Sequence, residues 1–156
     1  MTPFTIRPIG EDELEELLPL MRAYCDFYSV VPRDQELRAV ARGLLGSRGS
    51  EGLQLLARDT AGSPSGFATL LFTWSTTSGG RSAVLEDLYV TPQARRQGLA
   101  RALIERCRTE SGRHGARELS WITRPDNHAA QSLYDRLAVR DQWVNYRIDL
   151  AGPAPE

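Results

Sequence analysis

The chain has 156 residues, 41% of them apolar and 25% charged, with a formal net charge of −1. That length and balance describe one folded domain with a substantial core and exclude wholesale disorder. The near-neutral charge argues against a broad nucleic-acid footprint, and no apolar run approaches the roughly 20 residues of a membrane span.

Met1 to Gly10 lacks the charged and apolar regions of a signal peptide, so the expectation is a cytoplasmic protein with no membrane partner. All 19 basic residues are arginine, which carries no functional reading by itself. Cys25 and Cys107 lie far apart in helical patterns and are expected to be buried apolar positions, neither a disulfide nor a metal pair.

Phe4 to Pro8 alternates apolar and polar residues and predicts a short first strand. Gly10 and the acidic Glu11, Asp12 and Glu13 open a helix, with negative charge suitably placed at its start. Leu14, Leu17, Leu18, Met21, Cys25 and Tyr28 share one face, while Pro19 predicts a kink or division. After Val30-Val31-Pro32 a second helix runs from about Asp34 to Leu45, striped by Leu37, Val40, Ala41 and Leu44. Leu53 to Arg58 and Phe67 to Ser75 read as two strands of a hairpin turned by Ala61 to Gly66. A third strand covers about Ala83 to Val90, and a helix with Leu99, Ala100, Leu103, Ile104 and Cys107 on its apolar face follows. Arg117 to Ile122 is the next strand, His128 to Leu137 a short helix, and Trp143 to Leu150 a last strand.

Strand–helix–strand around residue 98 implies a right-handed crossover and parallel pairing, while the hairpins before it imply antiparallel pairing. The predicted fold class is therefore mixed α/β, a mostly antiparallel central sheet with helices on both faces. One domain over residues 1–150 is expected, with a frayed tail over 151–156.

The connection from strand to helix, Thr91 to Arg101, carries the strongest chemical signal. Backbone amides at a helix N-terminus form an anion site, and Arg95 and Arg96 add positive charge beside it. Gly98 permits close backbone approach and Ala100 keeps the first turn small. The loop lacks the Gly-Lys-Ser/Thr ending of a P-loop and the three glycines of a dinucleotide fingerprint. A nucleotide-phosphate site is accordingly disfavoured. A second motif runs from Trp121 to Tyr134. Asn127 and Tyr134 in it are separated by about two helical turns and share a face. On their own, Asn127 or Asp126 reads as an N-cap and Tyr134 as a half-buried core aromatic.

Together the two stretches resemble the GNAT superfamily of acetyl-CoA-dependent N-acetyltransferases. Arg95, Gly98 and Ala100 match that family's [RQ]-x-x-G-x-[GA] signature, and Asn127, Ala130, Leu133 and Tyr134 its N-x-x-A-x-x-L-Y element. Ala138 stands where relatives often have glycine.

The resemblance implies acetyl-CoA as co-substrate, no metal, and a GNAT-like fold. It implies that the backbone of Leu88, Tyr89 and Val90 pairs with the pantetheine arm, and that Arg95, Arg96, Gln97, Gly98, Leu99, Ala100 and Arg101 hold the pyrophosphate. Asn127 would contact the cofactor arm and Tyr134 would serve the departing thiolate. Glu86 stands where some relatives place a base, on the same side as Val84, with Asp87 expected on the opposite face. A surface carboxylate is the alternative reading of Glu86, and a water chain the alternative to a dedicated base. Tyr24, Asp26, Phe27, Tyr28 and Glu36 offer aromatic and acidic groups for a cationic acceptor, although Tyr24 and Tyr28 also fit the helix core stripe. Trp74, Ser75 and Thr76 form either a cleft lip or a strand end, and His114 and His128 read as surface positions.

The implied activity is direct acetyl transfer in a ternary complex to a primary amine, borne by a small molecule or a protein. A non-catalytic acyl-CoA-binding module on the same fold is the alternative. A homodimer through the terminal strand, around Trp143 to Tyr146, is a further expectation of the resemblance.

Overall fold

The computed structural model describes residues 3–151. The expected tail over residues 151–156 falls, except for Ala151, outside the described residues. The chain divides into two compact units, residues 1–122 and 123–156.

The first unit is built on a five-stranded sheet in the order β1-β2-β3-β4-β5. Its strands are β1 (Thr5–Pro8), β2 (Gly52–Arg58), β3 (Pro64–Ser75), β4 (Gly80–Val90) and β5 (Ala116–Ser120). β1 to β4 pair antiparallel in succession, and β5 joins β4 in parallel, as the crossover rule requires. Helices α1 (Leu14–Phe27) and α2 (Asp34–Gly46) connect β1 to β2, and α3 (Leu99–Arg113) connects β4 to β5.

Strand register decides which helix covers which face. Leu56 and Phe67 are direct partners and belong to the cluster that buries Leu14, Leu17, Leu18, Met21, Leu37 and Ala41, so α1 and α2 cover that face. Gly66 alternates with Phe67 and so looks the other way, where a Cβ would meet Leu99 and Leu103 of α3. Helices therefore lie on both faces, as expected. A Cβ on Gly66 would also come within 2.7 Å of the Tyr89 carbonyl oxygen. Glycine is what allows α3 to sit this close to β3 and β4.

α1 runs unbroken through Pro19. Pro19 is on the exposed side of the helix, where the Glu15 carbonyl it leaves without an amide faces water. Leu17, Leu18, Leu20 and Met21 around it are all buried, each worth about 1.5–3 kcal/mol, and together they outweigh the ~3 kcal/mol penalty of an interior proline. Val40, placed on the α2 stripe by spacing, is half exposed, and Leu37 and Ala41 are the residues of that helix that are fully buried. Cys25 and Cys107 are buried and free, as the sequence indicates. His114 is not a simple surface residue: its ring stacks on Phe72 with centroids 4.4 Å apart.

A buried ion-pair network ties the start of the chain to the sheet. Glu13, 5% exposed, accepts two bonds from Arg7 (2.7 and 3.0 Å), one from Arg58 (3.0 Å) and one from the Gly10 amide (2.9 Å). Arg58 also pairs with Glu16 at 2.8 Å. Burial pushes the Glu13 carboxyl up, but the Gly10 amide, Arg58 and Arg7 together hold it below its ordinary value.

The second unit holds α4 (His128–Leu137) and the stretch after it. Ala138 ends α4 in extended backbone (φ −146°, ψ 173°), a conformation open to any residue, so this end needs no glycine. Trp143 to Leu150 was expected as a strand but forms none. Alternation makes a segment suited to one face of a sheet, but it does not supply the pairing partner that a strand also needs.

Two outcomes test this architecture. Glu13→Gln leaves Arg58 without its buried partner and should cost about 3 kcal/mol in chemical denaturation at pH 7. A depressed carboxyl stabilises the fold above its unfolded pKa and loses that contribution as pH falls through the folded value, so the variant should also lose part of the acid dependence of stability. Gly66→Ala should destabilise by about 1–3 kcal/mol, because the Tyr89 carbonyl has to move; unchanged stability would contradict the close packing of α3.

Candidate active site

β4 is paired differently along its two sides. Toward β3 the pairing runs from Gly80↔Ser75 to Val90↔Gly66. Toward β5 it ends at Val84↔Ser120, so among the described residues β4 is paired on one side only from Leu85 to Val90. A backbone edge opens there with donors and acceptors available to an extended ligand. Leu88, Tyr89 and Val90 lie along it and are half-buried. Tyr89 packs on the α1 side of the sheet beside Phe67, with centroids 6.4 Å apart.

The chain then turns through Thr91, whose amide bonds the Ser65 carbonyl at 2.9 Å, and a single 3-10 turn, Pro92–Ala94. Arg95 folds back so that its Nε donates to the Val90 carbonyl at 3.1 Å. Arg96 (φ +61°) and Gly98 (φ +82°) are both left-handed, and Gly98 is the N-cap of α3. A Cβ on Gly98 would meet nothing within 4 Å, so its glycine serves the conformation and leaves open space above the backbone.

No side chain caps α3 and no acidic residue lies in its first turn, so the first-turn amides and the positive end of the helix dipole are directed outward. Arg95, Arg96, Gln97, Gly98 and Arg101 are exposed around this terminus. Leu99 is buried against the sheet, so only its backbone is available to a ligand. This is an anion cradle continuous with an open strand edge.

A bulge upstream changes the faces read from sequence. Leu85 pairs with Leu70 and Asp87 with Thr69, so Glu86 is an extra residue without a partner on β3. Val84 pairs with Leu71, which shares a face with Thr69; Asp87 therefore lies on the same face as Val84, where alternation had put it opposite. That is the α1 face. Glu86 is exposed, with its carboxyl raised by partial burial and by the neighbouring Asp87. Asp87 is half-buried and its carboxyl is also raised, because burial outweighs hydrogen bonds from Thr69 and Tyr24.

Tyr24 is thus more than a core aromatic. Its ring packs on Tyr28 (5.0 Å) and edge-on to Phe67 (5.9 Å), and its hydroxyl lies 3.4 Å from the Glu86 carbonyl oxygen. Phe27 is exposed beside Tyr28, and Glu36 is engaged by Arg33. Trp74 is exposed under the Arg81 guanidinium, 5.2 Å from its ring. The cluster of Asp87, Thr69, Tyr24 and Gln54 was missed in the sequence. Its legible trace was Gln54 and Thr69, two polar residues inside otherwise apolar strand runs.

In the second unit Asn127 caps α4, its Oδ1 accepting from the Ala130 amide at 3.4 Å and its Nδ2 donating to Thr123 Oγ1 at 3.2 Å. Tyr134 is half-buried in the middle of the helix. Among the described residues no group of three or more His, Cys, Asp or Glu is arranged to hold a metal, and no helix is long and apolar enough to cross a membrane.

Residues 16–138 match the family model described as Acetyltransferase (GNAT) family, a span that takes in part of each unit. The chain is 30% identical over 147 residues to the uncharacterized N-acetyltransferase YhfO of Bacillus subtilis (strain 168), covering 93% of this chain and 97% of that protein. It is 28% identical over 163 residues to a thialysine N-epsilon-acetyltransferase of Caenorhabditis elegans, covering 96% and 94%. The structure of aminoglycoside N-acetyltransferase AAC(6')-Iy in complex with CoA superposes with a TM-score of 0.81 at 21% identity, over 96% of this chain and 97% of that one, and so shares the fold. With its mixed sheet, one-sided β4 edge and arginine-rich helix N-terminus, the chain belongs to the GNAT family of acetyltransferases.

Proposed function

We propose that the protein transfers the acetyl group of acetyl-CoA to a primary amine by direct attack in a ternary complex. The observation that carries this reading is the joining of two features in one continuous stretch. An open strand edge from Leu85 to Val90 leads into an uncapped helix N-terminus flanked by Arg95, Arg96 and Arg101. The first suits an extended amide-bearing arm, and the second suits the pyrophosphate at its end.

In this reading the pantetheine arm pairs with the backbone of Leu88, Tyr89 and Val90, and the amides from Arg95 to Arg101 hold the pyrophosphate. An amide at Val90 stabilises the oxyanion formed on the thioester carbonyl. Tyr134 gives a proton to the departing thiolate. Asn127 serves the arm as well as its cap. The attacking nitrogen must first lose a proton, and β4 offers Glu86 and Asp87 as carboxylates beside the arm.

The acceptor is a cationic amine before attack, which suits the acid pair and the tyrosines of α1. Relatives named for thialysine and aminoglycosides support an amine of small-molecule size. The chain has no lysine, so no side-chain amine of its own competes as acceptor.

Thiol release from acetyl-CoA across a panel of polyamines, amino acids, aminoglycosides and peptides tests the reading. Turnover should occur with at least one amine, and Tyr134→Phe should lower kcat about 100-fold while CoA affinity stays within a factor of two or so. Gly98→Val, which forces a β-branched residue to φ +82°, should weaken CoA binding about tenfold. CoA binding with no turnover on any amine would assign the chain to a non-catalytic acyl-CoA-binding role, and absence of CoA binding would sink the reading altogether.

A further inference from the structure

The bulge in β4 is held from outside the sheet. Glu86 has no ladder partner on β3, and among the described residues it lies two positions beyond the last pair of β4 with β5. A residue released from both ladders has a peptide free to rotate, because no paired strand dictates where its carbonyl points. Here α1 meets that carbonyl: the Tyr24 hydroxyl donates to it at 3.4 Å, across 62 residues of chain.

Tyr24 is itself firmly placed. Its ring packs against Tyr28, one turn further along α1 (centroids 5.0 Å), and edge-on to Phe67 of β3 (5.9 Å). Phe67 is buried and packs in turn on Tyr89. The helix that carries the ring is fixed as well, with Leu17, Leu18 and Met21 in the core. Its C-terminus closes on Ser29 in the left-handed region (φ +56°). There the Ser29 amide bonds the Asp26 carbonyl at 3.1 Å, and the Val30 amide bonds the Cys25 carbonyl at 3.0 Å. Arg22 ties the following loop back to α1 through the Pro32 carbonyl and the Asp34 carboxylate. Burial pushes the Tyr24 hydroxyl above its usual range and the negative charge of Asp87 adds to the shift, so the group stays protonated and remains a donor.

The consequence falls on the open edge. A trans peptide directs its N–H opposite to its C=O, so holding the Glu86 carbonyl also sets the Asp87 amide. The ladder with β3 resumes at Asp87↔Thr69 and runs to Val90↔Gly66. The orientation of the bulge peptide is therefore the starting condition for the whole open edge.

We propose that Tyr24 is a positioning residue for the acyl donor: its hydroxyl locks the extra peptide of the β4 bulge, and so holds the backbone groups from Leu88 to Val90 where the acyl-CoA arm pairs with them. The assignment rests on the acetyl-transfer reading above. In this role the hydroxyl acts through the backbone and not on the reacting atoms. The cradle from Arg95 to Arg101 is fixed separately, by the Thr91 amide on the Ser65 carbonyl (2.9 Å) and by α3 packed over Gly66. Loss of the hydroxyl should loosen the arm and leave the pyrophosphate grip alone.

Tyr24→Phe keeps the ring and removes only the hydroxyl. Calorimetric titration of wild type and variant with CoA and with ADP separates the two ends of the donor, because ADP carries the pyrophosphate without the arm. CoA should bind the variant about three- to tenfold more weakly, the worth of one hydrogen bond, while ADP binding stays within a factor of two or so. With an amine that wild type acetylates, the loss should appear in kcat and in the KM for acetyl-CoA. Amide hydrogen exchange should quicken from Leu85 to Val90 and stay unchanged from Leu55 to Ala57.

CoA and ADP weakened alike would mark a general loss of structure and overturns the proposal. Unchanged CoA affinity overturns it too, as does unaltered exchange in the open edge. A rise confined to the KM of the amine would make Tyr24 an acceptor contact and is equally fatal. Wild type that binds CoA no more tightly than ADP overturns the acetyl-transfer reading instead, since the open edge would then hold no arm.

Discussion

β4 is gripped by β3 along its whole length and by β5 only as far as Val84, and everything that makes this sheet chemically useful follows from that inequality. A strand paired on both sides has no free backbone groups, and one paired on neither side has no fixed position. β4 beyond Leu85 has both a free edge and a rigid support. The support comes from β3, itself paired on both sides, and from α3 packed onto Gly66. The same chain that leaves this edge turns through Arg96 and Gly98 into the N-terminus of α3. Edge and cradle are thus fixed to each other by seven or so residues of tightly bonded turn, with no flexible linker between them.

The bulge at Glu86 is the second consequence of building a site on a strand. It shifts the register by one residue, so that residues before and after it exchange faces. Without it, Asp87 would lie under α3 among Leu99 and Leu103, where a carboxylate would be intolerable. With it, Asp87 joins Thr69, Gln54 and Tyr24 on the face of α1. The fold thereby accepts a half-buried acid whose carboxyl is raised by burial, and in Gln54 Oε1 a buried amide oxygen without a partner. The opposite face shows no such compromise, being lined by Leu55, Ala57, Leu70, Leu85, Leu103 and Cys107.

Stability is supplied elsewhere. Glu13, Arg7, Arg58 and Glu16 form a network at the β1–β2 end of the sheet, with the buried Glu13 carboxylate satisfied by two arginines and a backbone amide. Here burial is fully compensated, and the carboxyl is depressed rather than raised. The buried Glu13 and the half-buried Asp87 thus carry opposite signatures, one lowered by its cationic partners and the other raised by burial.

The sequence by itself determined the element order from β1 to α4, the antiparallel and parallel pairings, the burial of Cys25 and Cys107, and the anion-binding character of the stretch around Gly98. These follow from local rules: side-chain periodicity, turn residues, and the left-handed backbone that glycine favours. It also located Glu86 and Asp87, but assigned their faces by unbroken alternation. Only the tertiary structure decided that assignment, because a bulge is a relation between two strands and leaves no mark on either alone. The same holds for Pro19, which ends a helix by local rules but is carried through by the buried leucines around it. It holds for Trp143 to Leu150, whose alternation specifies a face but cannot supply an edge. Local chemistry sets what each segment can be; register and packing, which depend on residues distant in the chain, set which of those it becomes.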